Sequence, residues 1–154
     1  MLEIHNYNYV ITSTLVGAIF VALGYFLWKT LVTSNCFQKG ITLYEEKDYI
    51  GAEAAFREVI ALNSSNDMVR LLLGDVLLKQ DKLDVAEQQF REVIGRAPKK
   101  VDAYLRLGNV LIQKQQMQEA IATLQQAKDL LEKQRQSEKA EKVAQLLQHL
   151  SSNG

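Results

Sequence analysis

Cys36, His5 and His149 are the side chains of this 154-residue sequence that stand alone in their chemistry, as one thiol and two imidazoles. A thiol nucleophile needs a base within reach, and a zinc or iron site needs several His, Cys or carboxylate ligands at short spacing. The two histidines lie at opposite ends of the chain, and neither has another His or a Cys close by. No catalytic residue, no metal and no cofactor is expected. A single cysteine makes no internal disulfide, and the count suits a reducing compartment. Cys36 could be palmitoylated or carry redox chemistry, but a small residue packed at the start of a helix is the simpler expectation. The carboxylates sit beside cations, as in Glu53 with Arg57 and Glu87 with Arg91. At i,i+4 on a helix such pairs form a solvated face and stabilise by about 0.2–0.5 kcal/mol each. The glycines are isolated, so no phosphate-binding loop exists. The 18 Lys+Arg balance 18 Asp+Glu, which argues against a nucleic-acid partner. No small-molecule substrate is expected either.

What remains is a set of helices, and their arrangement carries the information. One proline and 8 glycines leave few breaks in the chain. Val10 to Trp28 is 19 residues without a charge. At ~1.5 Å per residue it spans roughly 28 Å, close to the ~30 Å hydrocarbon core of a bilayer. Tyr7, Tyr9, Tyr25 and Trp28 bracket it as interfacial aromatics do. The hydroxyls of Thr12, Ser13 and Thr14 can bond to carbonyls one turn back. A buried core helix of this length would show a polar stripe, and none is visible. A cleaved signal needs a basic leader, and residues 1–9 hold Glu3 and His5 but no Lys or Arg. A retained transmembrane helix over 10–32 is expected, after a short tail at 1–9. Every Lys and Arg follows the apolar run, beginning with Lys29, so residues 29–154 are expected on the cytoplasmic side or its organellar equivalent.

Beyond the anchor the sequence repeats itself at an interval of 34 residues. Phe-Arg-Glu-Val-Ile occurs at Phe56–Ile60 and again at Phe90–Ile94. Gly40, Gly74 and Gly108 keep the same interval, as do Ala52, Ala86 and Ala120, each alanine followed four residues on by Phe56, Phe90 or Leu124. A 34-residue period without strand alternation describes stacked helical hairpins. In the middle unit a helix from Met68 to Lys79, a turn at Gln80 to Lys82 and a second helix from Leu83 to Arg96 are expected. Gly74 belongs at the closest crossing of the two, opposite Ala86, with Phe90 filling the wider end and Pro98 stopping the second helix.

These residues resemble the tetratricopeptide repeat. Leu73-Gly74, Leu77, Ala86, Phe90 and Pro98 match its pattern, as do Tyr104, Leu107-Gly108, Leu111, Ala120 and Leu124, and Gly40, Leu43, Ala52 and Phe56. Cys36 and Arg70 depart from the leading aromatic, Lys39 from the Leu before glycine, and Ser64 and Glu132 from the proline. The resemblance covers residues 33 to about 134. It implies an all-α fold in which the membrane helix is followed by a right-handed α-solenoid of three hairpins. The units are 33–66, 67–100 and 101–134. Ala140, Val143, Leu146, Leu147 and Leu150 then recur at helical spacing, so 135–150 reads as a capping helix before a disordered tail at 151–154.

The resemblance also implies a concave groove lined by the first helix of each unit. Projected onto this sequence, it takes Phe37, Ile41 and Tyr44, then Met68, Leu71, Asp75 and Leu78, then Asp102, Leu105, Asn109 and Ile112. Some family members grip a carboxylate terminus with Lys, Arg and Asn. Phe37, Ile41 and Leu72 occupy those positions here, and only Arg106 and Asn109 match, so that clamp is not expected. Tyr44, Leu78 and Ile112 form an apolar stripe suited to an amphipathic helix or an extended apolar peptide. The overall plan resembles the membrane-anchored tetratricopeptide assembly factors for photosystem I of cyanobacteria and plastids. It implies a thylakoid membrane, with photosystem I or other membrane-complex subunits as protein clients. The alternative is a receptor or quality-control adaptor in a bacterial inner membrane or an organelle membrane, binding targeting helices or envelope subunits.

Overall fold

The computed structural model describes residues 2–152, with side chains from Thr14 onward. Seven α-helices and no strand are present among these residues. They are α1 (Leu2–Glu45), α2 (Tyr49–Leu62), α3 (Asp67–Lys79), α4 (Leu83–Arg96), α5 (Val101–Gln113), α6 (Met117–Lys133) and α7 (Ser137–Ser152). Each helix packs chiefly on its neighbours in the chain, so the molecule is an α-solenoid whose hairpins are α1–α2, α3–α4 and α5–α6, with α7 closing the end.

The expected anchor and the first helix of the first hairpin are one helix. α1 has 44 residues and is about 65 Å long at ~1.5 Å per residue. No glycine or proline lies between Leu31 and Lys39 to interrupt it. The backbone is already helical at Leu2, so residues 2–9 of the expected tail belong to α1. The aromatic side chains of Tyr7 and Tyr9, and the hydroxyls of Thr12 and Ser13, lie outside the described residues. Thr30 and Thr33 do back-bond, their Oγ1 atoms donating to the carbonyls of Phe26 and Lys29 at 2.8 Å each. At the far end α7 continues to Ser152, where a tail was expected, with Ser151 Oγ donating to the Leu147 carbonyl at 2.9 Å.

The turn inside each hairpin is built alike. Asp48 N–H donates to the Leu43 carbonyl at 2.8 Å, and Lys47 N–H to that of Tyr44 at 3.1 Å. Lys82 and Asp81 repeat this on Leu77 and Leu78, and Gln116 and Gln115 on Leu111 and Ile112. Such a C-cap needs one left-handed residue. Lys47, Asp81 and Gln115 supply it at φ 64°, 59° and 60°, with no glycine among them. Asp48 and Asn66 then cap α2 and α3 by accepting from Gly51 N–H and Val69 N–H.

The 34-residue glycines have a packing reason that differs from the expected one. A Cβ on Gly40 would lie 2.5 Å from the Phe56 ring, and one on Gly108 would lie 2.6 Å from the Leu124 side chain. On Gly74 it would meet the Phe90 ring even more closely. The glycine is therefore a socket for the large residue of the partner helix. That residue does not sit one turn on at a wider end. Ala52, Ala86 and Ala120 are buried between the helices as expected.

Neighbouring hairpins are also joined by a repeating polar ladder on the turn side. Glu53 accepts from Lys82 Nζ at 2.8 Å, Gln80 Nε2 at 2.9 Å and Arg57 Nε at 2.9 Å. One repeat on, Glu87 accepts from Lys114 Nζ and Arg91 Nε at 2.7 Å each. Burial pushes the Glu53 carboxyl up, but the bonds from Lys82, Arg57 and Gln80 outweigh it and hold it at about 2. A carboxyl depressed in the fold stabilises above its unfolded value, and the contribution is lost as pH falls toward its folded value. The difference in melting temperature between the wild type and Glu53→Gln should therefore shrink as pH falls from about 4.5 to about 2. A difference that stays constant over that window would show that the ladder carries no such weight.

Candidate functional site

The residues projected onto a groove lie on the first helices of the hairpins, α1, α3 and α5. Tyr44, Leu78 and Ile112 hold equivalent positions, each half-buried against the core. Phe37 and Ile41 lean on the same core, Phe37 against Phe56 with ring centroids 6.3 Å apart. Tyr44 meets Tyr49 edge-on at 5.8 Å. Leu105 is half-buried, Asp102 and Asn109 are exposed, and Met68 is 52% exposed.

Leu71 is the exception. It is fully buried and presents nothing to a partner, although its equivalents Phe37 and Leu105 are half-buried. The middle hairpin has a neighbouring hairpin on both sides, unlike the first and the third. Leu72, half-buried beside it, keeps accessible surface instead.

Asp75 and Arg106 form a contact that the repeat pattern did not show. Arg106 Nε donates to both oxygens of Asp75, at 2.8 and 3.0 Å, across α3 and α5. Burial pushes the Asp75 carboxyl above its ordinary value, and the bond and charge of Arg106 offset this only in part. Arg106 was one of two residues matching a carboxylate clamp, and its charge is already engaged. The arrangement offers an apolar stripe with one internally neutralised ion pair, which suits an apolar peptide face better than a bare carboxylate. Aspartate and arginine at a separation of 31 residues are the only sequence signal that could have suggested the pair.

Arg70 replaces the leading aromatic of its hairpin yet preserves a hydrogen bond. Tyr104 Oη donates to the Pro98 carbonyl at 3.0 Å. Arg70 Nη2 donates to the Ser64 carbonyl at 3.1 Å, and both of these residues lie 34 positions earlier. Its Nη1 also reaches Glu92 at 2.6 Å and Gln89 at 3.2 Å, and its Nε is buried without a partner among the described residues. Cys36 is half-buried on the core, where burial and a hydrogen bond with Glu58 push its thiol up. Among the described residues, no three His, Cys, Asp or Glu are placed to hold a metal ion.

Beyond the hairpins, the apolar part of α1 packs on nothing. From Thr14 to Trp28 every residue is exposed, and Phe20 and Val21 reach 69% and 74%. None of this segment is buried against the rest of the chain. It is long and apolar enough to cross a membrane. Tyr25 and Trp28 lie together at its end, with ring centroids 6.1 Å apart.

Comparison with known proteins agrees with the geometry. The sequence profile of the tetratricopeptide repeat matches residues 37–99 and 71–140. No curated protein matches the chain. The fold is similar to the TPR2B domain of yeast Sti1, solved in complex with an Hsp70 peptide. That match has a TM-score of 0.73 and 19% identity and covers 80% of this chain and 99% of that one. The TPR domain of Arabidopsis OM64 matches at 0.67 and 24%, covering 79% and 98%. The Yersinia enterocolitica translocator chaperone SycD, solved with a peptide of the translocator YopD, matches at 0.71 and 19%, covering 78% and 92%.

Proposed function

This chain belongs to the tetratricopeptide repeat family, and on that basis we propose that it is a membrane-anchored scaffold that holds a segment of a client protein in its trough. It is a binding protein and not an enzyme. The observation that carries the reading is the unbroken α1, whose exposed apolar part runs directly into the first wall of the groove. Tethering of this kind raises the local concentration of groove and membrane client toward each other. The yeast Sti1 and Yersinia SycD structures are complexes with a bound partner, which supports peptide capture here. The clients are subunits of a membrane complex during assembly. The overall plan favours photosystem I subunits, at a thylakoid membrane with the repeats on the stromal or cytoplasmic side.

Affinity capture of the full chain from mild detergent, followed by mass spectrometry, tests this. Recovery of photosystem I subunits supports the client assignment, and their consistent absence from a phototroph's membranes overturns it. The groove itself is tested by Leu78→Asp. A charge in the middle of the Tyr44–Leu78–Ile112 stripe should weaken client capture at least about tenfold, a loss of ~1.4 kcal/mol. The far-ultraviolet circular dichroism should stay that of the wild type. Undiminished capture would place the client elsewhere.

A further inference from the structure

We propose that the edge of the solenoid carrying the connections between hairpins lies on the bilayer surface and docks anionic lipid headgroups through Lys99, Lys100 and Lys139. The inference rests on the membrane-anchor reading of α1.

The topology decides which edge faces the membrane. α1 and α2 run antiparallel, with Tyr44 opposite Tyr49 and Phe37 packed on Phe56. Continuing that register brings the end of α2, at Leu62, level with the foot of the apolar segment near residue 32. The connection that follows, 63–66, therefore starts beside the membrane end of α1. The next two connections lie in a row with it. Arg96 donates to the Ser64 carbonyl and pairs with Asp67, tying the second connection to the first. Gln134 Nε2 donates to the Lys99 carbonyl at 2.9 Å, tying the third to the second. The hairpin turns and the Glu53–Glu87 ladder occupy the opposite edge.

The charges on the two edges differ in the same sense. On the turn edge Lys82 and Lys114 are neutralised by Glu53, Asp84 and Glu87, and Lys47 and Lys79, which make no ion pair among the described residues, stand in sequence beside Glu45, Glu46, Asp48 and Asp81. On the connection edge Lys99, Lys100, Lys133, Arg135 and Lys139 have no carboxylate partner among the described residues. Three of them, Lys99, Lys100 and Lys139, line one cavity of about 270 Å³ together with Gln134 and Gln136. Asp102 is the acid on its wall. The cavity opens at the start of α5, whose N-cap Lys100 makes no side-chain cap bond, so the helix end adds its own partial positive charge. Unpaired lysines held beside a bilayer by an anchor are attracted to anionic headgroups within a Debye length of the surface.

The test uses the full chain in nanodiscs of phosphatidylcholine alone or mixed with phosphatidylglycerol, with lysine acylation rates read by mass spectrometry. Lys99, Lys100 and Lys139 should react at least about threefold more slowly when phosphatidylglycerol is present. High salt should restore their rates, and Lys47 on the opposite edge should not change. Equal rates in the two kinds of disc, with the chain incorporated in both, overturn the headgroup proposal and leave the anchor standing. Protection that is the same without phosphatidylglycerol also overturns it, because a neighbouring protein surface and not an anionic lipid would then cover the lysines. A chain that enters neither disc overturns the anchor reading, and this inference with it.

Discussion

Gly74→Leu should lower the unfolding free energy by about 1–3 kcal/mol or more, the usual cost of forcing extra methylenes into a packed core. The cost belongs at the upper end here, because the clash starts at the first added carbon. A Cβ on Gly74 already falls inside contact distance of the Phe90 ring. That ring is fully buried, in one cluster with Val76, Leu77, Val93 and Ala86. The measurement is a thermal or denaturant melt of the repeats in detergent. Phe90→Ala alone should also destabilise, by about 3–5 kcal/mol, because it empties the socket. The double variant should lose less than the sum of the two, since each change removes part of the other's cost. Strict additivity would show that Gly74 and Phe90 do not share one space, and an unchanged melt of Gly74→Leu would sink the packing account.

Arg70→Ala should cost about 2–4 kcal/mol, combining a cavity with the loss of a buried hydrogen-bond donor. The Gln89 side chain loses its partner, while the exposed Ser64 carbonyl keeps its bond from Arg96. Glu92 is 41% exposed and can turn to water, so no buried unpaired charge is left behind, which keeps the cost below that of breaking a fully buried pair. Arg70→Tyr gives the opposite test. In the next hairpin Tyr104 makes the corresponding bond to Pro98 from the same repeat position. Tyrosine at 70 should therefore retain most of the stability, and it also removes the buried Nε that lacks a partner. If Arg70→Tyr melts as early as Arg70→Ala, the equivalence of the two bonds is wrong.

The helices themselves were legible because each is encoded locally. The bounds expected for the middle unit, Met68 to Lys79 and Leu83 to Arg96, differ from α3 and α4 by one residue at most. Periodic leucines, a three-residue turn and Pro98 are sufficient to place them. The sockets were half legible. The 34-residue glycines announced a close approach, but a sequence does not say which atoms approach, and it is the ring of Phe90 that fills the gap. The repeat gave Phe37, Leu71 and Leu105 as equivalent positions, yet Leu71 is fully buried and the other two are half-buried, because equivalence by repeat ignores how many neighbours a unit has.

By itself the sequence determined the number of hairpins, the residues between their helices and the apolar character of α1 over Val10–Trp28. These depend on contacts within a turn or within one hairpin, and periodicity reports them directly. The tertiary structure alone decided that the apolar segment and the first hairpin share one helix, that Asp75 and Arg106 neutralise each other, and that Lys99, Lys100 and Lys139 line one cavity with no carboxylate partner among the described residues. Those outcomes depend on which side chains meet across different hairpins, some thirty residues apart, and that is set by the angle and register of stacking and not by the order of residues along any one helix.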